Sequence, residues 1–190
     1  GGAGCLFNTG VSGDPTDVDT VSITVVDLSL TPLETQLGVL KTDGTVSVVF
    51  SFPGPVTGGG VNSNFIQVLH RTSVETWSNP VPFFGTTSYD FTTSVTQAFT
   101  NGAGDPMKLV DTSPISWAFF GGDILQDGDV ASGDMSALEP SSNVGDFGYY
   151  ADVYLPLLVS VDCNGDGASD SGDMTIIETN GNLGVFEQTP

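Results

Sequence analysis

Positive charge is what this chain has least of. Lys41, Arg71 and Lys108 are its only bases in 190 residues, against 23 acidic side chains, and the formal net charge is −20. Gripping a phosphate backbone takes clustered cations that release counterions, so nucleic acid is excluded as a partner, and an anionic membrane surface repels the chain for the same reason. Divalent cations are its natural counterions. No run of 18 apolar residues occurs, which excludes membrane insertion through a spanning helix. Cysteine is scarce: Cys5 and Cys163 stand alone and, in an oxidising compartment, are free to pair with each other or with another molecule. The single histidine, His70, closes a predicted strand and is expected to be structural or exposed. Glu34, Glu75, Glu139, Glu178 and Glu187 supply carboxylates, but no spacing among them singles out the pair a glycosidase requires, so the chain is not expected to be an enzyme. It opens on Gly1-Gly2 rather than on a basic and then apolar leader, the pattern expected of a mature secreted or cell-surface product.

Enough apolar surface is present to fold. Hydrophobic residues make up 38% of the sequence, with abundant Gly, Ser and Thr between them, which points to many short strands joined by turns. Residues 1–20 are rich in Gly and Asp and are expected to form an extended arm. Apolar alternation at Val21–Asp27, at Thr45–Phe52 after the Thr42-Asp43-Gly44 turn signal, and at Asn64–His70 predicts strands. Phe52–Pro55 and Gly58–Gly60 break the pattern, and further strands are expected at Thr87–Thr92, Pro114–Phe120 and Val153–Val161, the last interrupted by Pro156. No amphipathic helix pattern of twelve residues precedes residue 130. The fold class expected is mainly β, a β-sandwich-like domain over 21–121, with two short loop-helix units integrated into it over 122–190.

The most informative feature is a duplication at an offset of 39 residues. Ser132–Gly145 aligns without gaps on Ser171–Gly184, with seven identities in fourteen positions. Directly upstream of each copy lies a loop rich in Asp and Gly. In Asp162-Cys-Asn-Gly-Asp-Gly-Ala-Ser-Asp-Ser-Gly-Asp173, oxygen-bearing side chains occupy positions 1, 3, 5, 9 and 12 of a twelve-residue frame, and Gly167 occupies position 6, where the chain must turn sharply. Calcium is a hard cation that takes six to eight oxygens, and a loop wrapped around it supplies alternate side chains and a carbonyl from position 7, here Ala168. Asp162, Asn164, Asp166, Ala168, Asp170 and Asp173 are therefore the main expected ligands. The first loop, Asp123–Asp134, keeps Asp123, Asp127, Gly128 and Asp134, adds the Asp129 carbonyl at position 7, and has Leu125 and Ala131 at positions 3 and 9, so weaker binding is expected there.

This arrangement resembles a type I dockerin repeat, an EF-hand-like calcium loop with Asp at position 12 running into one apolar helix and present as a pair. The resemblance covers about residues 123–184 and implies calcium as cofactor and a cohesin-like receptor as a possible partner. Pro140 and the region of Gly181 are expected to stop the helices after about two turns, which argues for loops that stiffen the β-domain rather than a free-standing docking module. Trp77, in a polar setting, leaves carbohydrate binding as an alternative to core packing. The apolar segments Cys5–Phe7 and Leu183–Phe186 at the two ends are candidates for strand addition between copies. The sequence thus points to a calcium-stabilised structural subunit that assembles into a homopolymer, fibre or surface layer, with a polysaccharide-binding or docking module as the alternative.

Overall fold

The computed structural model describes residues 5–51, 63–83, 85–147, 153–154 and 159–190. Over these it is mainly β, with antiparallel sheets and few helices. The principal sheet carries β1 (Asp17–Val26), β2 (Pro32–Lys41), β3 (Ser63–His70) and β4 (Thr76–Trp77) in the order β2-β1-β3-β4, with β5 (Val81–Pro82) also paired to β3. Two antiparallel hairpins complete the strands: β6 (Lys108–Thr112) with β7 (Ile115–Ala118), and β8 (Val153–Tyr154) with β9 (Val159–Ser160). Helix α1 is one turn, Cys5–Asn8, while α2 (Ser132–Val144) and α3 (Ser171–Asn182) follow the two acidic loops. No helix among the described residues is long and apolar enough to cross a membrane.

Burial explains which expected strands pair. Val21, Ile23 and Val68 line one face of the sheet, and Val26, Phe65 and Trp77 form a second cluster, with Trp77 edge-on to Phe65 at 6.1 Å. Trp77 is 8% exposed and its indole N–H donates to Glu75, so it is a core side chain and not a platform displayed for a sugar ring. The segment expected as a strand from residue 45 keeps its alternation, with Val46, Val48 and Phe50 half-buried against the Val21 cluster, yet residues 46–51 join no ladder. They pack over the sheet at Gly38, where a side chain would overlap Val46. Phe52 and the expected breaks through residue 60 lie outside the described residues.

Other departures have equally local causes. β2 has Pro32, Glu34, Gln36 and Gly38 in its sequence, residues with little strand preference, and is held by its long antiparallel register on β1. Residues 87–92 are not a strand, because Asp90 accepts from the Thr92 backbone N–H and hydroxyl and closes a turn. Phe91 from that turn and Phe119, at 5.2 Å, pack against the Val21 cluster. The run expected at 153–161 yields only β8 and β9, with 155–158, including Pro156, outside the described residues. Helices α2 and α3 extend to 13 and 12 residues and pass the expected stops. Pro140 sits inside α2, where its missing N–H forfeits one bond to the preceding turn but does not end the helix.

Described residues near both ends pack on the body. Cys5 is 0% exposed and Leu6 is buried, so the segment expected as an extended arm contains a packed helical turn at Cys5–Asn8. At the other end Val185 and Gln188 are buried, and Gln188 accepts from Thr100 and Asn101 and donates to the Gly104 carbonyl. Of the segments expected as candidates for strand addition, Cys5, Leu6 and Val185 are buried while Phe7, Leu183 and Phe186 remain exposed.

Each of the three bases serves an internal contact. Lys41 holds Asp14 and Asp17, Lys108 donates to Asn180, and Arg71 lies between Asp19 at 2.7 Å and Asp162 at 3.6 Å. His70 adds a 3.2 Å contact to Asp19. Burial acts to raise the Asp19 pKa, but the hydrogen bonds and charges of His70 and Arg71 outweigh it and hold the carboxyl below its ordinary value. A depressed carboxylate stabilises the fold above the unfolded-state pKa of 3.8 and loses that contribution as pH falls through its lower folded value. Urea denaturation is therefore expected to show Asp19→Asn costing about 3 kcal/mol at neutral pH, since it strands the buried Arg71 beside one fewer charge, and the gap should begin to narrow only below about pH 4, as the pH falls toward the lowered folded value.

Candidate metal centre

The two acidic loops fold alike because their end carboxylates organise the same backbone amides. In the first loop Asp123 accepts from the N–H of Asp127 and of Gly128, both at 3.1 Å. Asp134, at the third position of α2, accepts from Ile124 at 2.9 Å, Leu125 at 3.0 Å and Ala131 at 2.8 Å. The second loop repeats four of these five bonds at equivalent positions, the exception being Gly165, whose N–H stands in for that of Asp127 one position earlier. Asp162 accepts from Gly165 and Gly167 at 2.8 and 2.9 Å, and Asp173 accepts from Cys163, Asn164 and Asp170 at 2.7, 3.1 and 2.9 Å. Gly128 and Gly167 have φ of 92° and 89°, a left-handed turn that side chains disfavour, so glycine at position 6 is required.

The loops are also tied to each other. Asp129 bridges Phe186 while Phe147 bridges Ala168, so position 7 of each loop pairs with the chain leaving the other loop's helix. Val130 N–H donates to the Val185 carbonyl and Ser169 N–H to that of Asp146, both at 3.0 Å, and the two pairings are related by the sequence offset. Gly145 and Gly184, with φ of 69° and 66°, mark the matching chain turns after α2 and α3. Between the helices lies one core of Ile124, Val130, Ala137, Leu138, Val161, Ile177 and Val185, which also takes in Val74 and Phe120 from the β region.

The donor sets differ in how they converge. Asp123, Asp127 and Asp134 each place a carboxylate oxygen within 4.8 Å of the others, a spacing that suits one ion, and this is the loop that lacks side-chain oxygens at positions 3 and 9. Burial and the charge of Asp134 push the Asp123 carboxyl up to about 6, the signature of a carboxylate pair short of positive charge. Asp129 is exposed, and its backbone carbonyl is the atom that would face an ion in this frame. In the second loop Asp173 is likewise raised by burial. Asn164 donates to Asp166 at 3.1 Å and accepts from its N–H at 2.8 Å, and Asp166 accepts from Ala168 N–H at 2.8 Å, so these side chains brace one another. Asp170 caps α3 by accepting from Gly172 N–H at 2.6 Å and stands where a ligand acting through water would be placed.

These residues fit a hard cation. A carboxylate has about four lone-pair sites, of which the position 1 aspartates use two and the position 12 aspartates three on backbone amides, leaving each an acceptor for an ion. Oxygen is the only donor type in the twelve-residue frames that fits, apart from the Cys163 thiol. That thiol is pushed well above its ordinary value by burial and the aspartates around it, and it donates to the Val161 carbonyl instead. Arg71, which follows β3, and Cys5, in the N-terminal helical turn, both act on Asp162 and have no signature in the local motif. Glu187 also joins unannounced: its side chain packs on Gly128, and burial together with the Glu75 charge raises its carboxyl. Cys5 and Cys163 are not bonded to each other.

Because the position 12 aspartates each satisfy three amides without help from a metal, Asp134→Ala and Asp173→Ala are each expected to cost about 2 to 3 kcal/mol in urea denaturation with chelator present. Asp127→Ala, which removes an exposed side chain, should cost little under the same conditions. Equal costs would show that the amide contacts do not organise the loops. No protein-family model, curated protein or solved structure matches this chain, and its own residues carry the functional reading.

Proposed function

We propose that the chain is a non-catalytic, extracellular structural subunit whose C-terminal third is held in shape by calcium in two EF-hand-like loops. The reciprocal pairing of two loops, each with buried carboxylates at both ends, is the observation that carries this reading. Asp162, Asn164, Asp166, the Ala168 carbonyl and Asp173, with Asp170 through water, would hold one ion. Asp123, Asp127, the Asp129 carbonyl and Asp134 would hold the other, with water filling the remaining positions. Calcium suits such sites better than magnesium because it accepts six to eight oxygens in a flexible geometry, whereas magnesium demands a near-ideal octahedron. The ion contributes to folding by linkage: it binds the folded loops and not the unfolded chain, so stability rises with the ratio of free calcium to its dissociation constant.

Association into a fibre or surface layer is the second part of the proposal, and the edge of the main sheet supports it. β2 is an outer strand among the described residues, and Leu33, Leu37 at 76% exposure and Val39 are exposed along it. An exposed apolar edge strand is a template for pairing with another copy unless it is protected. A docking role toward a cohesin-like receptor is a second reading, favoured by the length of α2 and α3 and by the matched exposure of Val144 and Leu183 near their ends.

Adding a chelator is expected to lower the melting temperature by more than ten degrees if calcium was saturating by about a hundredfold, equivalent to about 3 kcal/mol per site. An unchanged melting curve would contradict the calcium reading. Light scattering in calcium should report polymers that a Leu37→Lys variant fails to form. A monodisperse wild-type protein retained by a cohesin-type receptor would instead favour docking.

A further inference from the structure

The two loops are alike internally but are covered by different ends of the chain. On the first loop, Glu187 from the C-terminal tail donates its N–H to the Gly128 carbonyl at 2.6 Å and lays its side chain against the Gly128 Cα. On the second, the cover is the N-terminal turn. Burial, first, and the charge of the nearby Asp162 carboxylate push the Cys5 thiol up to about 12. Thr9, whose N–H and hydroxyl both return to the Cys5 carbonyl, sets its methyl group where a Gly167 side chain would be, 2.9 Å from the ideal Cβ position. Cys5, Leu6, Asp162 and Gly167 are all buried by this arrangement. The turn therefore rests on positions 1 and 6 of the loop, whose geometry is fixed together by the bond from Gly167 N–H to Asp162 at 2.9 Å.

Resting on the calcium reading of the loops, we propose that residues 5–9 form a strap whose docking is linked to ion occupancy of the second loop. Ion binding fixes the Asp162 carboxylate and the Gly167 turn, which together are the seat of the strap. Loss of the ion leaves Asp162, Asp166, Asp170 and Asp173 to repel one another, with Arg71 the only base within 4 Å of Asp162 among the described residues, and the seat is disturbed. Linkage is reciprocal, so a docked strap also strengthens ion binding at this loop. The first loop, seated under the C-terminal tail, has no part in it. Metal occupancy thereby governs whether the N-terminal segment is held against the body or released toward a partner.

Thiol labelling reads this directly, because Cys5 is 0% exposed when docked, whereas Cys163 is half-buried against the core of the C-terminal third. Wild-type protein would be treated with an aromatic disulfide reagent in calcium and in chelator, with the modified cysteine identified by peptide mass mapping and bound ions counted by calorimetry. Chelation is expected to speed labelling of Cys5 by roughly tenfold or more while labelling of the half-buried Cys163 changes by a smaller factor. In calcium, Asp166→Ala should expose Cys5 and Asp127→Ala should leave it protected. Cys5 labelling that is unchanged while the second loop loses its ion would overturn the linkage and leave the calcium reading intact. Equal acceleration at both cysteines would also overturn it, because the whole region then opens together. Absence of calcium uptake at either loop would overturn the underlying reading and this inference with it.

Discussion

Two pairs of buried carboxylates, Asp123 with Asp134 and Asp162 with Asp173, have to be neutralised inside a protein that has almost no bases. An uncompensated buried charge costs several kcal/mol, and a close pair costs more because each raises the other's proton affinity. Backbone amides do part of the work: each pair accepts five N–H groups, and these bonds give the loops their shape. Arg71 adds a positive charge beside Asp162 alone. The rest of the compensation falls to protonation, which the raised Asp123 carboxyl favours, or to the divalent cation proposed for each loop.

That requirement reaches well beyond the loops. The core between α2 and α3 includes Val74 and Phe120, and the chain entering the first loop is bound to the end of β3, with Gly122 N–H donating to the Thr72 carbonyl at 2.7 Å. Asn180 of α3 donates to the Gly121 carbonyl at 2.7 Å and accepts from Lys108 at 3.1 Å, which fastens α3 to the same crossing and to the β6-β7 hairpin. The helical turn at Cys5–Asn8 with Thr9 rests on one loop and the C-terminal tail on the other. A change in how the loops are neutralised is thus transmitted to the sheet and to both termini through packed contacts rather than through a hinge.

Much of the site was legible in the sequence because it is local. Twelve-residue frames fix which side chains face inward, so Asp123, Asp134, Asp162 and Asp173 could be placed by counting, and the offset of 39 residues foretold a pair. Relative strength was not readable in the same way. The first loop, poorer in ligand side chains, is the one whose carboxylates converge, since Asp166 in the second is braced by Asn164 and Ala168. Arg71, Cys5 and Glu187 were invisible because only the fold brings them to the loops. In the sheet, alternation at Val46, Val48 and Phe50 signalled a buried face, not a ladder, while β2 pairs despite a sequence with little strand preference. The helices outran their expected stops because packing of Leu138 and Ile177 into a shared core outweighs the local cost of Pro140 and Gly181.

The central claim is that oxygen atoms of these loops close around a hard divalent ion. A crystal structure from calcium-containing solution, with anomalous difference density recorded, tests it most directly. The account predicts a peak inside each loop with oxygens of Asp162 and Asp173, and of Asp123 and Asp134, at about 2.3 to 2.6 Å. Loops without such a peak, their carboxylates bonded only to backbone amides and water, would contradict it.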